Sequence, residues 1–527
     1  MVTMTATTPH DTAVTSTPEF SGTGTILNPA TGAVAGEVQW TDAADVPAIA
    51  ARLRAAQREW EQRGPAGRAK ALARFAVWLS EHRGEIEELL IKETGKSAVD
   101  AAQEVPMLIM ILSYYIKTME KALAPERRPA SLPILAIKKV TVHYRPRPVV
   151  GIIAPWNYPV ANALMDGIGA LAAGCSVLLK PSERTPLTAE VLRRGWLESG
   201  APDVLGLAQG AREVSEAVVD NVDFVQFTGS CATGSKVMER AARRLTPVSL
   251  ELGGKDPMIV LEDADVDFAA HAAVWGAMFN AGQTCVSVER VYVLEPVYDQ
   301  FVAAVVRDVQ KLLVGAGDGH TFGALIDESQ LAVAERHVRE AQAAGARVLT
   351  GGKRADKPGS FYEPTVLVDV DHSMTCMTEE TFGPTLPIMK VGSVDEAIRL
   401  ANDSEYGLSA SVFSRDVDRA KEVALQLDCG AVNINDVITN LMCTTAPMGG
   451  WKTSGIGARF GGADGLRKFC RIETVVGPRT NVGAGGNYYH NSLKALSRMN
   501  RLMTRVALAR PRRIVKRGDE TGRVTAR

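Results

Sequence analysis

The chain has 527 residues, with 59 Lys and Arg against 60 Asp and Glu, a formal net charge of −1. Hydrophobic residues make up 46% and charged residues 23%, which excludes a disordered, collagen-like or fibrous chain and leaves length for about two to three domains. A balanced charge gives no support to a nucleic-acid partner.

Residues 1–25 are Thr-rich and no Lys or Arg occurs before Arg52. Without a charged n-region and an apolar h-region they read as a disordered lead-in, not a signal peptide. Residues 44–123 predict helices. Asp42 or Asp45 is placed to cap the first, and 65–92 carries Leu72, Phe75, Leu79, Ile86 and Leu90 at helical spacing. Lys138–Tyr144 then alternates like a strand. From Pro148 to Leu179 the only charge is Asp166, a run long enough to cross a bilayer. Pro155, Asn157 and Pro159 break it early, and Gly167, Gly169 and Gly174 follow, so a buried strand–turn–helix–strand is the expected reading.

Beyond it, strands at 176–179, 224–227, 248–250 and 258–261 alternate with helices at 186–199 and 231–244. A second set places helices at 265–280, 297–313, 329–344, 394–402 and 416–427, with strands at 347–349, 365–368, 409–413 and 431–434. This rhythm predicts an α/β fold with two doubly wound lobes. The tail differs: 494–527 holds eleven Lys and Arg against Asp519 and Glu520. Lys494, Arg498, Arg501 and Arg505 share one helical face; Leu496, Met499, Met503 and Val506 share the opposite one, the pattern of a basic amphipathic helix. Seven cysteines lie scattered with no CxxC and no Cys/His pairing at zinc spacing, which points to a reducing, cytoplasmic compartment and to no metal.

Four segments carry candidate chemistry. Phe279–Cys285 presents a thiol after a Gly-Gln-Thr turn. Leu250–Lys255 sets Glu251 at a strand end beside two glycines. Ala154–Pro159 is a rigid turn displaying the Asn157 amide. Phe224–Gly234 reads strand, glycine turn, helix start, where a pyrophosphate can meet a helix N-terminus.

In their order and spacing, PWNYP (155–159), KPSE (180–183), FTGS (227–230), ELGGK (251–255), FNAGQTC (279–285), EETFGP (379–384) and PMGGWKTSGIG (447–457) resemble the aldehyde dehydrogenase superfamily. The resemblance covers about residues 26–480 and is nearest to bacterial succinate-semialdehyde-type members, with some likeness to a group that has membrane-associated relatives. It implies that Cys285 is the nucleophile, that Asn157 with the Cys285 backbone N–H stabilises the oxyanion, and that Glu251 is the base for thioester hydrolysis. For the cofactor it implies Lys180 and Glu183 at the adenosine ribose, Ser230 beside Gly229 and Gly234 at the pyrophosphate, Glu380 and Phe382 at the nicotinamide riboside, and Trp156 in the passage. Glu183 favours NAD over NADP.

The resemblance also implies a domain plan. After the lead-in, 26–137 and 158–252 form the NAD-binding domain, 253–464 the catalytic domain, 138–157 with 465–485 a small β oligomerisation element, and 486–527 the basic tail. A homodimer or homotetramer is expected, with peripheral membrane contact through the tail. Two departures stand out: Ala458-Arg459 replaces the family's Arg-Glu, removing an acidic proton relay there, and Arg471 with Glu473 looks like a charge swap preserving a pair. Ser287, two residues past the nucleophile, excludes a redox-switch disulfide there. The alternatives are a CoA-acylating member, which Glu251 argues against, and a non-catalytic scaffold, which intact Cys285, Glu251 and Asn157 argue against.

Overall fold

Uninterrupted apolar runs make the strands Val149–Ile153, Ser176–Lys180 and Phe224–Thr228, each buried along its whole length. Such strands need helices on both faces, which a parallel sheet provides. The computed structural model describes residues 20–129, 138–479 and 493–521. In it these strands form a six-stranded sheet in the order Gly455–Ile456, Val248–Glu251, Phe224–Thr228, Val149–Ile153, Ser176–Lys180, Leu205–Leu207, parallel except for the first. The long apolar run at 148–179 is thus strand, buried helix Ala161–Ala173, and strand. Among the described residues no helix is long and apolar enough to cross a membrane.

The second sheet has seven strands in the order Arg347–Thr350, Thr365–Val368, Thr385–Val391, Arg290–Leu294, Pro257–Val260, Ser409–Phe413, Ala431–Ile434. Only Arg347–Thr350 runs antiparallel to its neighbour. Arg290–Leu294 and Thr385–Val391 were not expected from the sequence, although they are central. Glu289-Arg290 puts charges at the start of one, and Pro387 sits within the other, where proline argues against a central strand. The helical segment 65–92 is in fact two helices, Gly64–Glu81 and Arg83–Thr94, parted at His82, which leaves helical geometry. Asp42 caps the first turn, accepting from Ala44 N at 2.9 Å.

A third sheet pairs Cys470–Pro478 with Lys138–Pro146 over nine residues, and Glu126–Arg128 with the far side of Lys138–Pro146. Here the expected plan needs correction. The element at 138–157 ends at Pro146, because Val149–Ile153 is an interior strand of the first sheet. The catalytic segment does not run unbroken to 464: Gly455–Ile456 returns to pair with Val248–Glu251. Order begins before residue 26, since Thr23–Leu27 pairs with Val34–Gln39. Residues 1–19 of the lead-in, 130–137, and 480–492 and 522–527 around the tail lie outside the described residues. Arg471 and Glu473 do not pair; Glu473 faces Arg145 at 3.6 Å. The tail is helical over Leu493–Thr521, with Leu502 and Val506 exposed beside Arg501 and Arg505.

Candidate active site

Cys285 owes its place to a backbone turn. The helix Val266–Met278 ends at Phe279, and Asn280 and Ala281 then adopt left-handed φ of 53° and 56°. Gly282 continues at φ 74°, where a Cβ would stand 2.2 Å from the Gly383 carbonyl oxygen, so only glycine fits. The strain is held from several sides. The Gln283 amide donates to the Asn280 and Ala324 carbonyls at 3.1 and 3.2 Å and accepts from Ile326 N at 2.9 Å. Tyr158 Oη meets Thr284 Oγ1 at 2.6 Å.

Asn157 follows the strand Val149–Ile153 through the Pro-bounded turn. Its Nδ2 donates to the Gln283 carbonyl at 2.9 Å, which ties it to the cysteine loop. Its own carbonyl accepts from Lys96 Nζ at 2.6 Å and Asn280 Nδ2 at 3.1 Å. Lys96 in turn pairs with buried Glu104 at 2.6 Å, whose second oxygen accepts from Val160 N and Ala161 N at 2.8 and 3.1 Å. Glu251 ends its strand fully buried, with neither carboxylate oxygen hydrogen-bonded. Asn157, Glu251 and Cys285 line one cavity of about 250 Å³, together with Trp156, Glu380 and Phe382.

Burial controls the electrostatics. It pushes the Cys285 thiol well up, and the neighbouring Glu251 charge adds to this while Arg459 opposes it. Burial likewise pushes Glu251 to about 7, against the pull of Arg459. Glu380 is pushed to about 8 by burial and by Glu289. Glu380 accepts from Gly254 N at 3.0 Å, and a Cβ on Gly253 would lie 2.4 Å from its carboxylate, so the glycine pair admits it. Glu289, itself paired with Lys255 at 2.7 Å, accepts from Thr381 N and Phe382 N and so shapes this loop.

The cavity meets a groove of about 790 Å³ at Trp156, Gly229 and Ser230; Lys180 and Glu183 line the groove farther along. Ser230 caps the helix Cys231–Ala242, accepting from Thr233 N, so that helix start faces the groove. Lys180 Nζ is buried and lies 3.1 Å from Glu183 Oε2. Burial alone would raise Glu183, but Lys180 holds its carboxyl below the usual range. Trp156 packs edge-on to Phe382 at 5.5 Å. A dinucleotide fits this arrangement: a helix start with its glycine for the pyrophosphate, a carboxylate for the ribose, and a passage to the thiol. Gly234 is the exception. It sits inside the helix, where a Cβ would meet Leu252 at 2.5 Å, and it does not line the groove; its smallness serves helix–strand packing.

The sequence reading missed the supports: Lys96, Glu104, Asn162, Asn280 and Glu289. Asp166 was seen only as a lone charge in an apolar run. A buried charge requires a partner, and that rule was the available signal.

The aldehyde dehydrogenase family model matches residues 17–475. A Mycolicibacterium smegmatis protein named "Putative succinate-semialdehyde dehydrogenase NADP(+)" is 40% identical, over 86% of this chain and 90% of its own length. The chloroplastic betaine aldehyde dehydrogenase of Amaranthus hypochondriacus is 38% identical over 85% and 92%. The solved Mycobacterium tuberculosis aldehyde dehydrogenase complexed with NAD+ superposes with a TM-score of 0.83 at 35% identity, covering 88% of this chain and 97% of that one. The chain that gathers Cys285, Glu251 and Asn157 between two α/β lobes belongs to the aldehyde dehydrogenase family.

Proposed function

We propose that this NAD(P)-dependent dehydrogenase oxidises its aldehyde through a covalent adduct on Cys285 and releases a carboxylic acid. The observation that carries this is the meeting of a thiol, a buried carboxylate and an amide donor in one cavity that opens on a dinucleotide-sized groove. The Cys285 sulfur attacks the aldehyde carbon, its proton leaving to solvent, and a thiohemiacetal forms. The Asn157 amide and the Cys285 N–H receive the oxyanion. The dinucleotide supplies the hydride acceptor. Collapse of the oxyanion expels hydride and leaves a thioester on Cys285. Glu251 then takes a proton from water, which attacks the thioester and frees the acid and the thiol. Aldehyde-dependent NADH formation that is unchanged by added CoA supports hydrolysis; a strict CoA requirement overturns it.

Succinic semialdehyde is the candidate substrate, on the names of the mycobacterial relatives. A panel of succinic semialdehyde, medium-chain aliphatic and aromatic aldehydes compared by kcat/KM tests this. A higher value for an apolar aldehyde overturns it.

NAD+ is the proposed cofactor, although those relatives are named for NADP(+). Glu183 is a carboxylate lining the groove beside Lys180, and this reading sets it at the adenosine ribose, where a 2′-phosphate would meet like charge. Arg212 and Arg240 also line the groove, but Glu216 already pairs with both. The expected preference in kcat/KM is about tenfold or more, equivalent to about 1.4 kcal/mol. Glu183→Gln should narrow it by weakening NAD+ and admitting NADP+. A wild-type preference for NADP+, or a ratio untouched by the substitution, counts against this placement of Glu183.

Assembly is proposed through the third sheet. Cys470–Pro478 is its long edge strand, opposite the short edge Glu126–Arg128, and exposes Ile472, Val475 and Val476. Long apolar edges invite pairing with a second chain, so a homodimer or homotetramer is expected. A monomer by light scattering at micromolar concentration would exclude it.

The basic helical tail is proposed to rest on an anionic membrane surface, its apolar stripe at the headgroup boundary and its Lys and Arg toward the phosphates. Full-length protein should co-sediment with anionic liposomes, lose that binding at high salt, and lose it on truncation at Gly485. Equal sedimentation of the two chains removes the idea. All seven cysteines are unpaired, which supports a reducing compartment.

A further inference from the structure

Beside the cavity, and reaching its wall through Asn162, lies a buried polar cluster to which the reaction as described assigns no task. Arg459, Asp166 and Asn162 are each at most 4% exposed. The Arg459 guanidinium spends its donors on three sides. Nε donates to Asp166 Oδ2 at 3.2 Å, Nη1 lies 3.5 Å from Glu251 Oε1, and Nη2 donates to Asn162 Oδ1 at 2.5 Å. Lys468 Nζ completes the charge balance, donating to Asp166 Oδ1 at 3.0 Å and Gln226 Oε1 at 2.7 Å. Asn162 Nδ2 donates onward to Asn157 Oδ1 at 3.0 Å, and Asn157 Nδ2 to the Gln283 carbonyl at 2.9 Å.

The polarity of these contacts is dictated from both ends. A guanidinium has only donors, so the Asn162 oxygen must face Arg459. The Asn162 NH2 is thereby left for Asn157, and it can only meet the Asn157 oxygen. At the other end the Gln283 carbonyl has only lone pairs, so it must receive the Asn157 NH2. A flipped Asn157 would set oxygen against oxygen at Gln283 and NH2 against NH2 at Asn162. It would also turn an acceptor toward the developing oxyanion.

We propose that Arg459 and Asn162 are positioning residues that set the Asn157 amide, keeping its second Nδ2 hydrogen for the aldehyde oxygen as that oxygen becomes an oxyanion above Cys285. This rests on Asn157 being the oxyanion donor. The same guanidinium faces Glu251, so one buried cation stands behind both the acylation donor and the hydrolytic base. Position 459 is where the family resemblance leads to an acid; in this chain the side chain there acts as an orienting donor.

The test is a double-mutant cycle read by single-turnover hydride transfer, which isolates acylation from hydrolysis. Asn162→Asp is close in shape to the native side chain and still accepts from Arg459, but it has no hydrogen for Asn157 Oδ1. It should slow hydride transfer about 10- to 100-fold, less than the roughly 10²- to 10³-fold cost of losing an oxyanion donor outright because the donor is misaligned and not removed, with KM changed less than about threefold. In an Asn157→Ala background the same substitution should cost less than about threefold, because the amide it orients is gone. Arg459→Leu should follow the same pattern where it folds; Asn162→Asp carries the test where it does not. A merely structural role predicts Asn162→Leu to be worse than the near-isosteric Asn162→Asp, whereas orientation predicts Asn162→Asp to be worse. Wild-type hydride transfer in Asn162→Asp, or an equal cost in both backgrounds, overturns the inference. If Asn157→Ala alone costs nothing, the oxyanion assignment itself fails and the inference falls with it.

Discussion

Cys285→Ser should lower kcat by roughly 10⁵-fold or more, the scale on which loss of a nucleophile costs an enzyme. The site makes the exchange severe. Burial and the Glu251 charge already hold the thiol well above its usual range, so the native sulfur is mostly protonated at neutral pH and must shed its proton to attack. A hydroxyl, far harder to ionise in the same cavity, cannot follow. The rest of the site should survive, because the loop is held by Gln283, Asn280 and Thr284 and not by the sulfur. Dinucleotide binding, followed by fluorescence, should therefore stay within about threefold while single-turnover hydride transfer disappears. Hydride transfer at a wild-type rate would remove Cys285 from the mechanism. The raised thiol also sets a direction for the native enzyme: the acylation rate should climb with pH through the neutral range.

What could be read from sequence was whatever sits in one short segment. Cys285, Glu251 and Asn157 each lie in a contiguous motif, and the structure brings all three to one cavity. Ser230 and Glu183 likewise line the groove. Strands with clean apolar runs, such as Thr365–Val368, Ser409–Phe413 and Ala431–Ile434, were legible to the residue. Arg290–Leu294 was not, because Arg290 spends its guanidinium on the buried carbonyls of Lys255, Leu400 and Ala401 and so reads as surface charge; Thr385–Val391 was not, because Pro387 reads as a break. The positioning groups were hidden by separation. Arg459 and Asn162 are 297 residues apart, and Lys96 reaches Asn157 across 61. No local spacing encodes such pairs; the return of the chain at Gly455–Ile456 carries Arg459 back beside the first sheet. Gly234 shows the opposite error, a glycine that fits a phosphate pattern but exists to let Leu252 approach.

Glu251→Gln should separate the two halves of the reaction. Acylation and the first hydride transfer need Cys285 and Asn157, so one equivalent of NADH per site should form as a burst. Steady-state turnover should then fall about 10²- to 10⁴-fold, the usual contribution of a general base, with the acyl group trapped as a thioester visible by mass spectrometry. The native pH profile follows from burial. A carboxyl pushed to about 7 is protonated below that pH and cannot accept a proton from water. Deacylation should therefore rise with pH up to about 7 and level above it, standing at about a tenth of its plateau one unit below. The position of the limb depends on Arg459, whose charge pulls the carboxyl down against burial; removing it should move the limb to higher pH. Glu251→Gln should abolish the limb altogether, since a neutral amide has nothing to titrate. Full steady-state turnover in Glu251→Gln, or an acid limb that persists in it, would assign the base to another group. In that case Glu380, also raised by burial and lining the same cavity, is the carboxylate to replace next.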